Sequence, residues 1–354
     1  MRPLRVLVVD DSVFNRRTIA EILTSIPGVV VIGKAADGEE ALALALTEKP
    51  DLVTLDLEMP RMDGFTFLRV LMAKQPTPVV VVSGRSAKPD VFKALELGAI
   101  DFVVKPSTNA STELQSIRAE LEAKVALVRQ LRPASAEPRP LTTTGLVRRV
   151  SGTDERASPS DPTPRALVVI GASTGGPPAL VQLFSRLPSD LPAAFVVAQH
   201  MPERFTRTFA ERLERLGGVR VAELEGSEPL RAGRAVVCPG GRCMDVIAKG
   251  GVPWVRTLLP AGDDRYVPSV DRLMRSAAAV MGPRTIGVIL TGMGDDGTRG
   301  ADAIKRQGGR VVAESEETAA IYGMPAAAVR AGVVDESLPL PQLADRLVRL
   351  VSTV

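Results

Sequence analysis

Short apolar runs alternate with amphipathic segments along the first part of the chain. The apolar runs predict five strands, at Leu4–Val9, Val29–Ile32, Leu52–Leu55, Val79–Val82 and Phe102–Val104. Amphipathic periodicity predicts helices near residues 13–25, 38–48, 65–74, 89–97 and 111–131. Because the strands are Val-rich on both faces and a helix follows each of them, we predict an α/β fold with a doubly wound, five-stranded parallel sheet.

This pattern is lost between residues 132 and 164, where Pro, Ser, Thr, Arg and Gly predominate. Such a composition predicts an extended linker. A second alternation of strands and helices follows, and we predict a mainly parallel, Rossmann-like α/β domain there. The chain is thus divided into a first domain at residues 1–125, a linker at 126–164 and a second domain at 165–350. The strands predicted in the second domain are Ala166–Ile170, Ala194–Ala198, Ala235–Val237, Ile286–Leu290 and Arg310–Ala313.

Composition excludes several classes of protein. The net charge is +3, and no block of like charge marks a nucleic-acid-binding arm, so we expect no nucleic-acid partner. The two cysteines, Cys238 and Cys243, are too few for a secreted disulfide scaffold. No apolar stretch approaches the ~18 residues that a membrane span needs, so no direct membrane insertion is expected. We therefore expect a cytoplasmic protein.

Polar residues follow the predicted strands of the first domain where each strand ends. Asp10 and Asp11 follow the first strand and Asp56 the third, while Ser83 and Lys105 follow the fourth and fifth. Because parallel strands end at one edge of a sheet, three carboxylates, a lysine and a hydroxyl are expected to converge there. Three carboxylates repel one another, and Mg²⁺, which takes carboxylates, waters and phosphate oxygens, relieves that repulsion.

Such a group of side chains suits phosphoryl transfer onto a carboxylate, because that reaction needs mainly positioning and charge neutralisation. We expect Asp56 to be the acceptor, and Asp11, with Asp10 and the carbonyl of Glu58, to hold the metal. Plainer alternatives exist, since either of the first two aspartates suits an N-cap and the lysine suits a turn. Two side chains are expected to contact the phosphoryl oxygens: Lys105 and Ser83.

The motifs VVDDS, TLDLEMPRMDGF, VVVSG and ALELGAIDFVVKP resemble those of response-regulator receiver domains. The resemblance covers residues 1 to about 125. It implies that a partner histidine kinase phosphorylates Asp56 with Mg²⁺ as cofactor. It also places Phe102 at the position of the aromatic switch residue of that family.

In the second domain, a strand runs directly into the glycine-rich turn Gly171-Ala-Ser-Thr-Gly-Gly176. One interpretation is a phosphate site, in which glycines let the backbone approach a phosphate at a helix N-terminus. The other is a G-x-S-x-G turn that presents the Ser173 hydroxyl to a substrate. The spacing lacks the G-x-G-x-x-G of dinucleotide sites and the Lys of a P-loop, which weakens the nucleotide interpretation.

A serine nucleophile needs a base, because its hydroxyl is barely ionised at neutral pH. His200 is the single histidine of the sequence, and it follows a predicted strand that ends at the same sheet edge as Ser173. A glycine-rich loop follows the predicted strand Ile286–Leu290. It contains Asp295 and Asp296, and we expect one of these two carboxylates to contact the imidazole. Plainer alternatives exist for both. The histidine could be an incidental polar loop residue, and either aspartate could simply cap the helix that follows it.

Long motifs over residues 165 to about 350 resemble the catalytic domain of chemotaxis protein-glutamate methylesterases, the CheB family. They are IGASTGGP, AQHMPERFTRTFAERL, YVPSVDRLMRSAA, LTGMGDDG and the stretch from Ile321 to Leu340 that begins IYGMP. The resemblance implies Ser173 as nucleophile, His200 as base and Asp296 as third member of the triad. It also implies that Thr174 and Met293 support the histidine and the oxyanion. One position departs from that family: Cys243 stands in PGGRCM where PGGRHM is expected.

The resemblance implies a phosphorylation-activated serine hydrolase that acts on chemoreceptors. It would demethylate glutamate γ-methyl esters with release of methanol, and deamidate receptor glutamines, with no cofactor for the esterase itself. The receptors and the kinase are the implied partners. Two alternatives stay open on the residues alone: a catalytically silent interaction module controlled by the receiver, and a nucleotide-binding output domain.

Overall fold

The structure is a computed structural model that describes residues 2–84, 88–105, 111–130 and 163–353. The described residues fall into two compact units, one within Met1–Thr143 and the other within Thr144–Val354. Most of the predicted linker lies outside the described residues, so the three predicted domain ranges stay predictions. None of the helices in the described part of the chain has the length and apolar character that crossing a bilayer requires.

One parallel sheet forms the centre of the first unit. Its strands are β1 (Leu4–Val9), β2 (Val29–Ala35), β3 (Leu52–Leu55), β4 (Val79–Ser83) and β5 (Asp101–Val104). The helices between and after them are α1 (Val13–Ser25), α2 (Gly38–Glu48), α3 (Gly64–Lys74), α4 (Lys88–Glu96) and α5 (Ser111–Gln130). The strand order β2-β1-β3-β4-β5 reverses beside β1, which confirms the predicted doubly wound sheet.

The second unit contains a larger parallel sheet, as predicted. Its strands are β6 (Ala166–Ala172), β7 (Ala193–Gln199), β8 (Arg220–Glu223), β10 (Arg234–Val237), β13 (Thr285–Ile289), β14 (Arg310–Glu314) and β15 (Glu336–Leu338). They lie in the order β15-β14-β13-β6-β7-β10-β8, and every pairing is parallel. The helices are α6 (Gly176–Phe184), α7 (Glu203–Glu214), α8 (Val270–Met281), α9 (Thr298–Arg306), α10 (Met324–Arg330) and α11 (Leu340–Thr353).

A small antiparallel sheet, which the hydrophobic pattern did not predict, accompanies the parallel one. It consists of β9 (Ser227–Pro229), β11 (Cys243–Lys249) and β12 (Val252–Leu258), in the order β11-β12-β9. β11 and β12 are only partly buried, so they lack the continuous apolar run by which buried parallel strands are found. The short strands β8 and β15 were missed as well, and the strand predicted at Ile286–Leu290 begins one residue earlier.

The two central strands β6 and β7 are buried at every residue, so they form a rigid base for the loops that follow them. Helix α8 packs directly on β6 at Gly171. A Cβ at that glycine would lie 2.3 Å from Cγ1 of Val270, the first residue of α8. The glycine thus sets how closely the start of α8 approaches the sheet.

We expect Gly171→Ala to lower the unfolding free energy by about 1–3 kcal/mol, because the added methyl forces Val270 and the start of α8 to move. Calorimetry of the full chain measures this. Val270→Ala in the same chain should recover part of the loss. The matched control is Gly262→Ala, since a Cβ there meets no atom within 4 Å and the expected change is within about 0.5 kcal/mol. Equal effects of the two glycine variants would contradict the packing argument.

Candidate active site

Three loops that follow adjacent strands meet at the carboxyl edge of the larger sheet. Ser173 follows β6, His200 follows β7, and the loop that contains Asp296 follows β13 on the other side of β6. Backbone hydrogen bonds extend the pairing past the strand ends. The amide of Ser173 donates to the carbonyl of Thr291 at 3.0 Å, and the amide of His200 donates to that of Ala172 at 3.0 Å. The strand order therefore brings the predicted nucleophile and base to one place.

Glycines make the serine turn tight. Gly175 has φ +78°, a left-handed conformation that favours glycine, and a Cβ there would lie 2.6 Å from the Cβ of Ala320. On the facing loop, a Cβ at Gly292 would lie 2.8 Å from the Cβ of Ser173. The serine side chain is half-buried, and its hydroxyl makes no hydrogen bond to any described residue. That hydroxyl is therefore available to a substrate.

Asp296, and not Asp295, contacts the histidine. The Nε2 of His200 lies 2.9 Å from Oδ2 of Asp296, whose side chain is 1% exposed. Because an ionised carboxylate has no proton to donate, Nε2 carries the hydrogen of the neutral imidazole. Nδ1 is then the nitrogen with a free lone pair, so the ring can accept a proton there. The geometry suits general-base catalysis by Nδ1.

The same carboxylate is fixed by the start of α8. The amide of Val270 donates to Oδ2 of Asp296 at 2.8 Å, and the amide of Asp271 donates to Oδ1 at 2.9 Å. The partial positive charge of a helix N-terminus favours the ionised carboxylate. The alternative that Asp296 caps the following helix is wrong, because Gly297 is the N-cap of α9 and makes no side-chain cap hydrogen bond. Asp296 instead accepts from the start of the preceding helix α8 and contacts the histidine.

Asp271 makes the reciprocal contact. Its Oδ1 accepts from the amides of Gly297, at 2.9 Å, and Gly300, at 2.8 Å, at the start of α9. Burial raises the pKa of Asp271, and the charge of nearby Asp296 adds to that rise. Asp296 therefore binds the start of α8, and Asp271 of α8 binds the start of α9. Together these contacts hold the Asp296 loop with four hydrogen bonds.

Tyr266, to which sequence reasoning assigned no role, covers one face of His200. The two ring centroids lie 5.3 Å apart and the planes are inclined by 8°. The Tyr266 hydroxyl donates to Oδ1 of Asp295 at 2.9 Å, and Arg265 forms an ion pair with that carboxylate at 3.2 Å. Burial raises the pKa of Tyr266, and the hydrogen bond to Asp295 acts in the same direction. Asp295 thus forms a hydrogen bond with Tyr266, whereas Asp296 forms one with His200.

A buried network joins the serine turn to the loop after β13. The Thr291 hydroxyl donates to the carbonyl of Thr174 at 3.0 Å and accepts from the amide of Ile321 at 2.8 Å. The Thr291 amide donates to Oε2 of Glu314 at 2.9 Å, and burial raises the pKa of that carboxyl. Thr174, next to Ser173 in the serine turn, is buried, and Met293, in the loop after β13, is half-buried. The spacing between these loops is therefore set by internal hydrogen bonds.

The acidic residues predicted to converge in the first unit do so. Asp10, Asp11 and Asp56 present carboxylate oxygens within 4.8 Å of one another, and the first and third are buried. Nζ of Lys105 lies 2.5 Å from Oδ2 of Asp56 and 2.8 Å from Oδ2 of Asp10. Burial acts to lower the pKa of Lys105, but these two ion pairs outweigh it and raise the pKa. Lys105 is therefore no plain turn residue, because its ammonium pairs with two buried carboxylates at once.

The oxygens of this cluster suit a hard cation. Burial is the main cause that raises the pKa of Asp10, and the Lys105 charge opposes it. Beyond that ion pair, the buried Oδ2 of Asp10 has no hydrogen-bond partner among the described residues. Ser12, rather than either neighbouring aspartate, is the N-cap of α1, so the N-cap alternative for Asp10 and Asp11 is wrong. The donor set therefore fits Mg²⁺, which prefers carboxylate oxygens.

Of the remaining predicted residues of the first unit, Glu58 contacts this cluster, whereas Phe102 and Ser83 are placed only by their strands. The amide of Glu58 donates to Oδ1 of Asp56 at 3.4 Å. Phe102 is 7% exposed and lies in β5 opposite Val81 of β4. Ser83 is the last residue of β4, and its side chain lies outside the described residues.

Comparisons with known proteins match both units. The CheB methylesterase family model matches residues 168–347, and the response regulator receiver domain model matches residues 6–116. The protein-glutamate methylesterase/protein-glutamine glutaminase 3 of Geobacter sulfurreducens is 48% identical over 99% of this chain and 98% of its own length. A Myxococcus xanthus relative, protein-glutamate methylesterase/protein-glutamine glutaminase 1, is 44% identical over 98% of this chain and 97% of its own length.

A crystal structure of the Thermotoga maritima CheB methylesterase catalytic domain is also similar, with 37% identity and a TM-score of 0.51. The match covers 53% of this chain and 98% of that domain. Together with the receiver model and the full-length relatives, it accounts for both units. The chain belongs to the CheB family of protein-glutamate methylesterases/protein-glutamine glutaminases, in which a receiver domain precedes a methylesterase domain.

Proposed function

We propose that this chain hydrolyses glutamate γ-methyl esters on chemoreceptors, deamidates receptor glutamines, and is activated by phosphorylation of its receiver domain. The observation that carries the proposal is the hydrogen bond between His200 and the buried carboxylate of Asp296, at the sheet edge where Ser173 also lies. A silent interaction module would have no use for a carboxylate that orients an imidazole. The full-length relatives carry names for the same two activities.

In the proposed reaction, the Ser173 hydroxyl attacks the ester carbonyl while Nδ1 of His200 takes its proton. The imidazolium stays paired with Asp296 and returns the proton to the departing methoxide, so methanol leaves and a glutamyl ester forms on the serine. His200 then takes a proton from water, which attacks this ester, and returns that proton to Oγ of Ser173 as glutamate is released. With a glutamine substrate the leaving group is ammonia.

The tetrahedral intermediates of both steps carry an oxyanion, which backbone amides stabilise. We place this contact at Thr174, in the serine turn, and at Met293, in the loop after β13. The Thr291–Thr174 hydrogen bond supports this choice, since it fixes the distance between those loops. Preorganised amides need no rearrangement as charge develops.

In the receiver, we propose Asp56 as phosphoacceptor, with Lys105 and Ser83 as contacts of the phosphoryl oxygens. Phe102 is the proposed aromatic switch. Mg²⁺, when bound, would neutralise charge on the transferred phosphoryl group. A histidine kinase is the proposed phosphodonor and the cytoplasm the proposed location. The residues that would hold the metal are Asp10, Asp11, Asp56 and the carbonyl of Glu58.

Ser173→Ala should reduce methanol release from a methylated receptor to the uncatalysed background, because the variant lacks the hydroxyl that forms the proposed acyl intermediate. The variant should fold normally, since that hydroxyl makes no hydrogen bond to any described residue. Gas chromatography of released methanol measures the activity, and circular dichroism checks the fold. A variant with wild-type turnover would overturn the assignment of the nucleophile.

The two adjacent aspartates provide a matched pair of variants. Asp296→Asn should lower kcat by about 10⁴-fold, because the amide no longer stabilises the imidazolium and the tautomer is lost. Asp295→Asn should lower it only a few-fold, since Asp295 contacts Tyr266 and Arg265 and not the histidine. Steady-state rates on a methylated receptor distinguish them. Similar losses in both variants would contradict the assignment of Asp296.

Phosphorylation is tested with a small phosphodonor such as acetyl phosphate. Adding it with Mg²⁺ should raise methanol release by the full chain, and Asp56→Asn should abolish both phosphate incorporation and the rise. The control is Asp63→Asn, because Asp63 caps α3 through the amide of Thr66 and asparagine caps equally well. Stimulation that survives in Asp56→Asn would place the phosphoacceptor elsewhere.

A further inference from the structure

Gln199, the last residue of β7, touches both members of the proposed catalytic pair. Its side chain is 2% exposed. Nε2 donates to the carbonyl of Ser173 at 2.9 Å and to the carbonyl of His200 at 3.0 Å. Both hydrogens of the amide are therefore used, one on the nucleophile and one on the base.

The orientation of this amide is fixed by its surroundings. A flipped amide would place Oε1 against two carbonyl oxygens, which repel it. In the observed orientation Oε1 is buried and has no hydrogen-bond partner among the described residues. It lies beside Gly176, where a Cβ would come within 2.0 Å of it, so only glycine leaves it room.

One part of this arrangement opposes stability. A buried polar atom left without a partner costs about 1–3 kcal/mol, which offsets part of what the two hydrogen bonds of Nε2 contribute. Those two hydrogen bonds also connect the backbones of the proposed catalytic residues. The amide of His200 is tied to Ala172, beside the serine, and Gln199 ties the histidine carbonyl to that of Ser173 as well. Both peptide groups that flank the histidine are thus held to the nucleophile turn.

We propose that Gln199 is a positioning residue, which sets the distance and angle between Ser173 Oγ and the imidazole through their backbones. This inference rests on the proposed function, in which those two residues exchange a proton. Proton transfer within a hydrolase depends steeply on geometry, and a misplacement of about 1 Å costs about 100-fold in rate. The contribution of Gln199 should therefore appear in kcat and not in substrate binding.

The first test is Gln199→Met, which keeps the length of the side chain and removes both hydrogen bonds. We expect kcat on a methylated receptor to fall by about 10- to 100-fold with KM changed less than about twofold. The matched control is Thr285→Val, which removes a buried hydrogen bond to the Ala277 carbonyl at the opposite end of β13. That variant should melt at a lower temperature but keep its kcat. A Gln199→Met enzyme with unchanged kcat, or with a loss confined to KM, would overturn the proposal.

The second variant, Gln199→Glu, adds a pH signature that loss of stability would not produce. A protonated carboxyl group can donate to one of the two carbonyls, whereas its ionised form donates to neither. The rate should therefore fall at alkaline pH, along a limb that is absent from wild type and from Gln199→Met. A Gln199→Glu profile with no such limb would overturn the proposal.

Ser173→Ala, assayed in the same series, distinguishes failure of the positioning role of Gln199 from failure of the proposed methylesterase function. If Ser173→Ala is inactive while Gln199→Met keeps its kcat, the positioning role is wrong and the proposed function stands. If Ser173→Ala is active, the proposed function itself fails.

Discussion

The hydrogen bond between His200 and the buried carboxylate of Asp296 is the contact on which the account of the hydrolase depends. It fixes the tautomer of the ring and therefore which nitrogen can act as base. The carboxylate is held in turn by two backbone amides at the start of α8, which donate to its two oxygens. Gly171 allows α8 to come close enough to the sheet for this. Chemistry at the sheet edge thus depends on helix packing behind it.

Both units build their sites by the same rule. Parallel strands end at one edge, so residues that are far apart in sequence arrive together without a special fold. In the first unit the edge collects carboxylates, two of which pair with one lysine, and this arrangement suits phosphoryl transfer onto a carboxylate. In the second it collects a hydroxyl, an imidazole and a carboxylate, which suits proton transfer. The different chemistry comes from the loop residues and not from the sheets.

Whether a site residue could be predicted from the sequence depends on where it lies in the fold. Asp10, Asp56, Ser173 and His200 directly follow buried parallel strands, and buried strands have a strong apolar signal. The residues by themselves left Asp295 and Asp296 open, and only the family resemblance selected Asp296, because its position depends on α8, which lies about 25 residues away in the chain. The antiparallel hairpin β11–β12 was missed because its partly exposed strands lack a continuous apolar run.

Two contacts of the histidine were beyond sequence reasoning for a related cause. Tyr266 reaches the ring from a loop with no periodic pattern, so only the tertiary structure reveals the stacking. Gln199 is adjacent to His200, but nothing in a strand-end glutamine predicts that it bonds a turn 26 residues earlier. Such contacts are set by packing and not by local preference.

A serine-directed phosphonate tests whether Ser173 is a nucleophile activated by His200 and Asp296. We expect a single covalent label on the peptide that contains Ser173, formed in step with loss of methylesterase activity. We also expect no label in a His200→Ala chain, because the hydroxyl then has no base. A label on another residue, or full activity in a chain labelled at Ser173, would contradict the account.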